Sequence, residues 1–484
     1  MINSETLAVA EAVPATEASA IIDALRSQAD DILGTALEGS PLVSFAVGSA
    51  GNFPYYWQNP NNLLFNGATY NWIGHNLAAK ATPAQLDSDL FTTNYIEVFS
   101  KIGYHLSAAD NDLLSQAQKN ATNQQMALLN AWRAAYGSLP AATATQQPID
   151  IIMSTIASTW AKPATDLTSI QQASNLNALL NNTPASGQPI RPVLAAYLNA
   201  LGTSVSLQNA TTMNNGYLQN ALLAVQSPTA ANGGMAIDTI SQLVPAYAVS
   251  TPLNDIINGL ADTSNAVPLH MSVKRTSESE VTVSVNGSTG FSIPIFDFFS
   301  VSVGASASYF SDNIATSSNS VDISMVFSGV TLVNFGPVSF NPSLNTNWLW
   351  MEPITEAIQN AGADVSGFHF SPACTLDFSP NGPFGYLTGV AISNYPTVQI
   401  TVTSSSYQSI ATTFQQSSTV KASFLGIPLA SVTESSYSHS VQTNASNSSV
   451  TITLTPPAPS VSGPVEGSVA WILGAQTHYP AASA

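Results

Sequence analysis

FFSVSVGASASYFSDNIATSSNSVDISMVFS, residues 298–328, alternates apolar and small polar side chains through most of its length. Val301, Val303, Ala305, Ala307 and Tyr309 share one face, and Ser302, Gly304, Ser306 and Ser308 share the other, which is the period of a β-strand. Asp312-Asn313 reads as a turn, after which Val321, Ile323, Met325 and Phe327 resume the alternation. The polar face of this stretch is made of hydroxyls and carries almost no charge.

The same texture extends outward over residues 266–484, where Lys274, Arg275 and Lys421 are the only basic side chains. A change of period marks where it begins. Asp-Thr-Ser-Asn-Ala-Val-Pro, residues 262–268, closes a helical pattern, and alternation starts at Met271-Ser-Val. Only Glu352–Gly362, with Pro353 at its start and Gly362 at its end, reads as helix beyond that point.

Ahead of the boundary the spacing is helical. Ile21, Leu25, Ile32 and Leu33 predict an amphipathic helix over 17–37. Ser107-Ala-Ala-Asp110 reads as a cap for a long helix ended by Gly137 and Pro140. Further helices are expected near 167–180, 192–200, 214–225, 236–247 and 252–262. Asp87 and Asp89, following Pro83, read as another helix start. The expected fold is therefore α+β, with a mainly α-helical domain at 1–265 followed by a Ser/Thr-rich antiparallel β-sandwich at 266–484.

An internal duplication is expected within the β half. Val281, Val283 and Val285, Ile293-Pro294, Ser308-Tyr309 and Ser320-Val321 recur in order as Val398, Ile400 and Val402, Ile427-Pro428, Ser436-Tyr437 and Ser449-Val450. Two such copies would pack as facing meanders, each covering the apolar face of the other.

Composition narrows the functional classes. Charged residues make up 8% of the 484, against roughly a quarter in ordinary soluble proteins, so Ser, Thr, Asn, Gln and Ala must cover the surface. Neutral polar faces lack the like-charge repulsion that keeps copies apart, which points to a homo-oligomer. The net charge is −18 and no basic cluster exceeds Lys274-Arg275, so nucleic acid is excluded as a partner.

Cys374 is the sole cysteine; it rules out an internal disulfide and reads as a small buried residue at a strand start. Residues 1–11 lack a basic leader and no run approaches roughly 18 apolar residues, so neither a signal peptide nor a transmembrane helix is expected. That leaves a cytoplasmic chain or one exported by a leaderless route.

No nucleophile elbow, phosphate loop, dinucleotide fingerprint or zinc-protease motif occurs, so no catalytic residue, metal ligand or cofactor is assigned. His105, Asp110 and Asp112 form the densest titratable group, but the two carboxylates read as first-turn partners of a helix dipole. His75 beside Trp72 reads as a half-buried ring. Tyr55, Tyr56, Trp57 and Trp72, set among Asn and Gln, are the side chains able to stack a sugar ring if they are exposed. Trp348 and Trp350, two apart, are expected in core or interdomain contact.

Residues 296–328 carry the first functional expectation. Each arm is close to the roughly 9–11 residues of a tilted transmembrane strand, and an uncharged Ser face suits a water-filled lumen. Phe299, Val301, Val303 and Tyr309 on one arm, with Val321, Ile323, Met325 and Phe327 on the other, would face lipid. A second such hairpin is read at 418–454. In texture, without a shared motif, residues 270–455 resemble aerolysin-type β-pore-forming toxins, although a helical head departs from their usual layout. The resemblance implies a non-enzymatic, membrane-active protein that oligomerises. The alternatives are a self-assembling structural or surface protein and a glycan-binding protein.

Overall fold

The alternation that starts near residue 266 does fold as antiparallel sheet, and the chain is α+β. The structure, a computed structural model, describes residues 52–55, 67–78, 85–160, 180–237, 243–276, 280–286, 291–294, 299–304, 306, 309–315, 320–379, 382–424, 427–428, 437–456 and 469–480. Strands and helices are numbered along these residues. The helix expected at 17–37 lies outside them, as does the one expected near 167–180 up to residue 179.

The largest sheet has seven strands in the order β10 (Phe291–Pro294), β9 (Glu280–Val285), β8 (Ala266–Arg275), β12 (Ser320–Ser328), β16 (Thr397–Thr403), β20 (Ser449–Thr455) and β19 (Ser438–Asn444). Its inner face follows from the period of two. Leu269 and Met271 of β8, Ile323 and Met325 of β12, Ile400 of β16 and Ile452 of β20 are all buried in one apolar cluster. That cluster is completed by a three-stranded sheet, β11 (Phe299–Val303), β17 (Val420–Phe424) and β18 (Ile427–Pro428), by helix α8 (Tyr407–Gln416), and by a π-turn at Phe310–Ile314.

The topology differs from two facing meanders. β9 and β12, from the first expected copy, share one sheet with β16 and β20 from the second, and β8 lies between β9 and β12. The hairpin expected over 296–328 is likewise not formed. β11 pairs with β17, from Phe299 opposite Phe424 to Val303 opposite Val420. β12 pairs with β8 on one side and β16 on the other. Gly304, with φ +59, ends β11 in a backbone conformation that favours glycine, and the π-turn follows where a continuous arm was expected.

A five-stranded sheet runs β1 (Asn52–Pro54), β21 (Val469–His478), β15 (Tyr386–Ser393), β13 (Thr331–Pro337) and β7 (Tyr247–Val249). β21 is buried on both faces through its middle, from Ala470 to Gln476, which is why its sequence reads as a continuous apolar run. The described ends of the stretch where a helix was expected over 236–247 are not helical, and residues 238–242 lie outside the described residues. Pro245 interrupts that helical pattern, and Tyr247–Val249 instead adds to β13. Leu243–Val244, as β6, pairs with β5 at Met235–Ala236. Asp87 and Asp89 fall in β3 (Gln85–Leu90), paired with β2 (His75–Ala78), and helix α2 (Phe91–Phe99) starts only after them.

The contacts group the chain into two compact units that do not follow the linear division at 265. The first gathers residues 1–100, 221–350 and 375–484, and it holds the sheets described above. The second gathers 101–220 and 351–374. The physical reason is sheet completion: β1 and β7, from the N-terminal half, supply edge strands to β21 and β13.

The second unit is mostly helical. Helix α3 (Ala108–Tyr136) is capped as its sequence implies, with Ser107 Oγ accepting from the Asp110 N–H and Gly137 at φ 84 closing it. Helix α5 (Arg191–Gln226) joins the segments expected at 192–200 and 214–225, and Gly202 does not break it. A glycine inside a helix costs about 1 kcal/mol, which the buried Leu194, Leu198 and Leu218 offset. β4 (Ile102–His105) pairs with β14 (Gly367–Phe370), and helix α7 (Met351–Gln359) precedes β14. Among the described residues, no helix is long and apolar enough to cross a membrane.

Candidate functional site

The outer face of the seven-stranded sheet carries what the inner face excludes. Alternation that buries Met271, Ile323 and Ile400 turns Ser272, Asp322 and Thr401 outward, and the register places these three side by side. One step along, His270, Ser324 and Gln399 form the next row. The Ser272 hydroxyl donates to Asp322 Oδ1 at 2.6 Å, and the hydroxyls of Thr401 and Thr451 lie 3.2 Å apart. The Asn286 side chain, at φ 48 just past β9, accepts from the His270 N–H at 3.0 Å and so fixes one wall.

Together these residues enclose an open groove of about 730 Å³ over β9, β8, β12 and β16. Its described lining is hydroxyl, amide, one imidazole and one carboxylate, with Pro268 as an exposed apolar ring. Met271 and Ile323 contribute backbone there, because their side chains point into the core.

Charge is unevenly spread across this face. Glu280, Lys274 and Asp322 sit on β9, β8 and β12, whereas the described outward residues of β16, β20 and β19 include no ionised side chain. β19, Ser-His-Ser-Val-Gln-Thr-Asn, forms the rim of that neutral half, and its residues are exposed or half-buried. At seven residues it is the longest edge strand among the described residues, and no described strand pairs with its outer side. The other rim, β10, is four residues and ends on Pro294.

The residues singled out from sequence fall elsewhere. Phe299, Val301, Val303, Tyr309, Val321, Ile323, Met325 and Phe327 are all buried in the core between the seven-stranded and three-stranded sheets. The β19–β20 pair is a true hairpin inside 418–454, but β17 from that stretch belongs to the other sheet. Of the aromatics, Tyr55 and Trp72 are buried, Trp72 packing edge-on against Phe53 at 5.1 Å, so neither presents a ring to a sugar. Tyr56 and Trp57 lie outside the described residues.

Trp348 is core, its Nε1 donating to the Ala246 carbonyl at 2.8 Å, while Trp350 is half-buried against Phe340. Cys374 is half-buried in irregular chain and does not start a strand. His75 is half-buried, as its neighbourhood implies.

In the second unit, Asp110 serves the helix start. It accepts from the Ser366 hydroxyl, and Ser366 Oγ in turn accepts from the Ser107 N–H at 2.8 Å. Asp364 accepts from the Ala108 N–H at 2.9 Å. β4–β14 pairing brings the rings of His105 and His369 to 6.1 Å, a neighbourhood that neither residue announces in sequence. Among the described residues, no group of three or more His, Cys, Asp or Glu is placed to hold a metal ion.

Sequence reading missed the groove because its residues come from four strands separated by up to about 130 positions, from His270 to Thr401. The available signal was the polar half of each alternation, which marks an outward face without saying what lies beside it. No family model matches the chain, and neither does any curated protein or solved structure.

Proposed function

We propose that the protein is a non-enzymatic structural protein that self-associates, with strand β19 of one copy adding to β19 of a second. The observation that carries this reading is a rim on whose outer side no described strand pairs: a seven-residue edge strand with no Lys, Arg, Asp, Glu or Pro. Soluble proteins blunt such edges with charge, proline or brevity, because unpaired backbone N–H and C=O groups recruit other strands. Here β1, β7, β10 and β18 are blunted by length or proline, and β19 is not. Antiparallel addition about a two-fold axis would join two sheets edge to edge, and the neutral hydroxyl rows on both copies raise no electrostatic barrier.

Membrane insertion by residues 296–328 has a steeper requirement. β12 would have to leave both β8 and β16 and take Ile323, Met325 and Phe327 out of the core. Self-association needs no such unfolding, so the geometry supports it better.

Amide exchange over a dilution series tests the reading. The β19 amides that point away from β20 should be protected at high concentration and lose that protection on dilution, while the β12 amides stay protected throughout. Protection of those β19 amides that does not change with concentration would contradict it.

A further inference from the structure

The groove over β9, β8, β12 and β16 lies on the other half of the sheet face from the proposed contact, and its chemistry selects a ligand. We propose that it binds a short neutral oligosaccharide. Its volume of about 730 Å³ is within the roughly 300–1,000 Å³ of small-molecule sites, so two or three sugar rings fit.

Other ligand classes fit the lining less well. Among the described residues no Lys or Arg lines the groove, so an anionic ligand finds no described partner beyond the His270 ring. Asp322 is the single carboxylate among the described lining residues, too few for a hard cation that takes six or more oxygens. An apolar ligand would strand the hydroxyls of Ser284, Ser324 and Thr401 against hydrocarbon, an unmade-bond cost that a polyol avoids.

A sugar, by contrast, both donates and accepts at each hydroxyl. Asp322, held by the Ser272 hydroxyl at 2.6 Å, presents an acceptor already oriented for a sugar O–H. Gln399, one row along on the adjacent strand, supplies a donor and an acceptor on one amide. The groove is open along the sheet, which suits internal units of a longer chain as well as a free end. Among the described residues no Phe, Tyr or Trp lines it, so recognition rests on hydrogen bonds and the affinity is modest.

The test is isothermal titration of the full chain with maltohexaose, cellohexaose, chitohexaose and xylohexaose, alongside hexagalacturonate as an anionic control. At least one neutral hexaose should bind at millimolar or lower concentration with about one site per chain. Asp322→Asn or Gln399→Ala should weaken that binding about tenfold, the loss expected for one directed hydrogen bond in a polar site. Both positions are exposed, so the variants should keep the wild-type circular dichroism and melting midpoint. The proposal is overturned if no neutral hexaose binds, if both variants bind as tightly as wild type, or if hexagalacturonate binds more tightly than every neutral chain.

Discussion

Tyr95 donates its hydroxyl to the carbonyl of Trp348 at 2.9 Å and accepts from the Trp350 N–H at 2.9 Å. One buried phenol thus satisfies two backbone groups of a segment some 250 positions away, next to the Trp348 ring, which packs edge-on against it at 5.2 Å. Tyr95→Phe keeps the ring and leaves a buried carbonyl and N–H without that partner. It should lower stability by about 1–3 kcal/mol in urea unfolding. An unchanged midpoint would mean that the hydroxyl does not carry this bridge.

Tyr386 and His478 lie opposite each other where β15 meets β21, with rings 5.2 Å apart, and both tie the stability of the five-stranded sheet to pH. Burial lowers His478 below its ordinary 6.5, so its contribution is present above that value and is lost as pH falls through the folded pKa. Burial pushes Tyr386 up from 10.0 to about 12, so its contribution is complete below 10.0 and is lost as pH rises toward 12. The melting temperature should therefore form a plateau between roughly pH 7 and 10 and fall on both sides. His478→Gln should make the acid limb shallower, and Tyr386→Phe should make the alkaline limb shallower without removing it, since buried Tyr70, Tyr95, Tyr247, Tyr395 and Tyr437 are pushed up too.

Ile323 sits at 1% exposure on a strand paired on both sides. Ile323→Asp buries an unpaired carboxylate in the main core and should abolish soluble folded protein, a loss of several kcal/mol. A hairpin waiting to insert would instead tolerate the charge in its soluble form and lose only membrane leakage. A folded, monodisperse Ile323→Asp protein would restore the membrane reading.

Features encoded within a dozen residues were legible in the sequence. Ser107, Asp110 and Gly137 mark α3 because caps act over one turn, and the alternation of β8 and β12 marks which side chains are buried. Partner choice was not legible. A period of two assigns Ile323 to a face but not to Met271 and Ile400 as neighbours, since the same pattern fits a local hairpin or a distant ladder. The groove inherits that limit, because Ser272, Asp322 and Thr401 become a row only through register. Low charge was visible from composition, but its concentration at β19 depended on which strand lay at the rim.

Light scattering of the full chain over a hundredfold range of concentration, beside the Ser440→Lys/Gln442→Lys variant, tests the central claim most directly. Both positions are exposed on β19, so the fold should survive, while two added cations on each copy would oppose each other across a two-fold strand pair. The mass of the native chain should rise with concentration to dimer or larger, and the variant should stay a monomer throughout. A native chain that stays monomeric over the whole range, or a variant that associates as the native chain does, would contradict it.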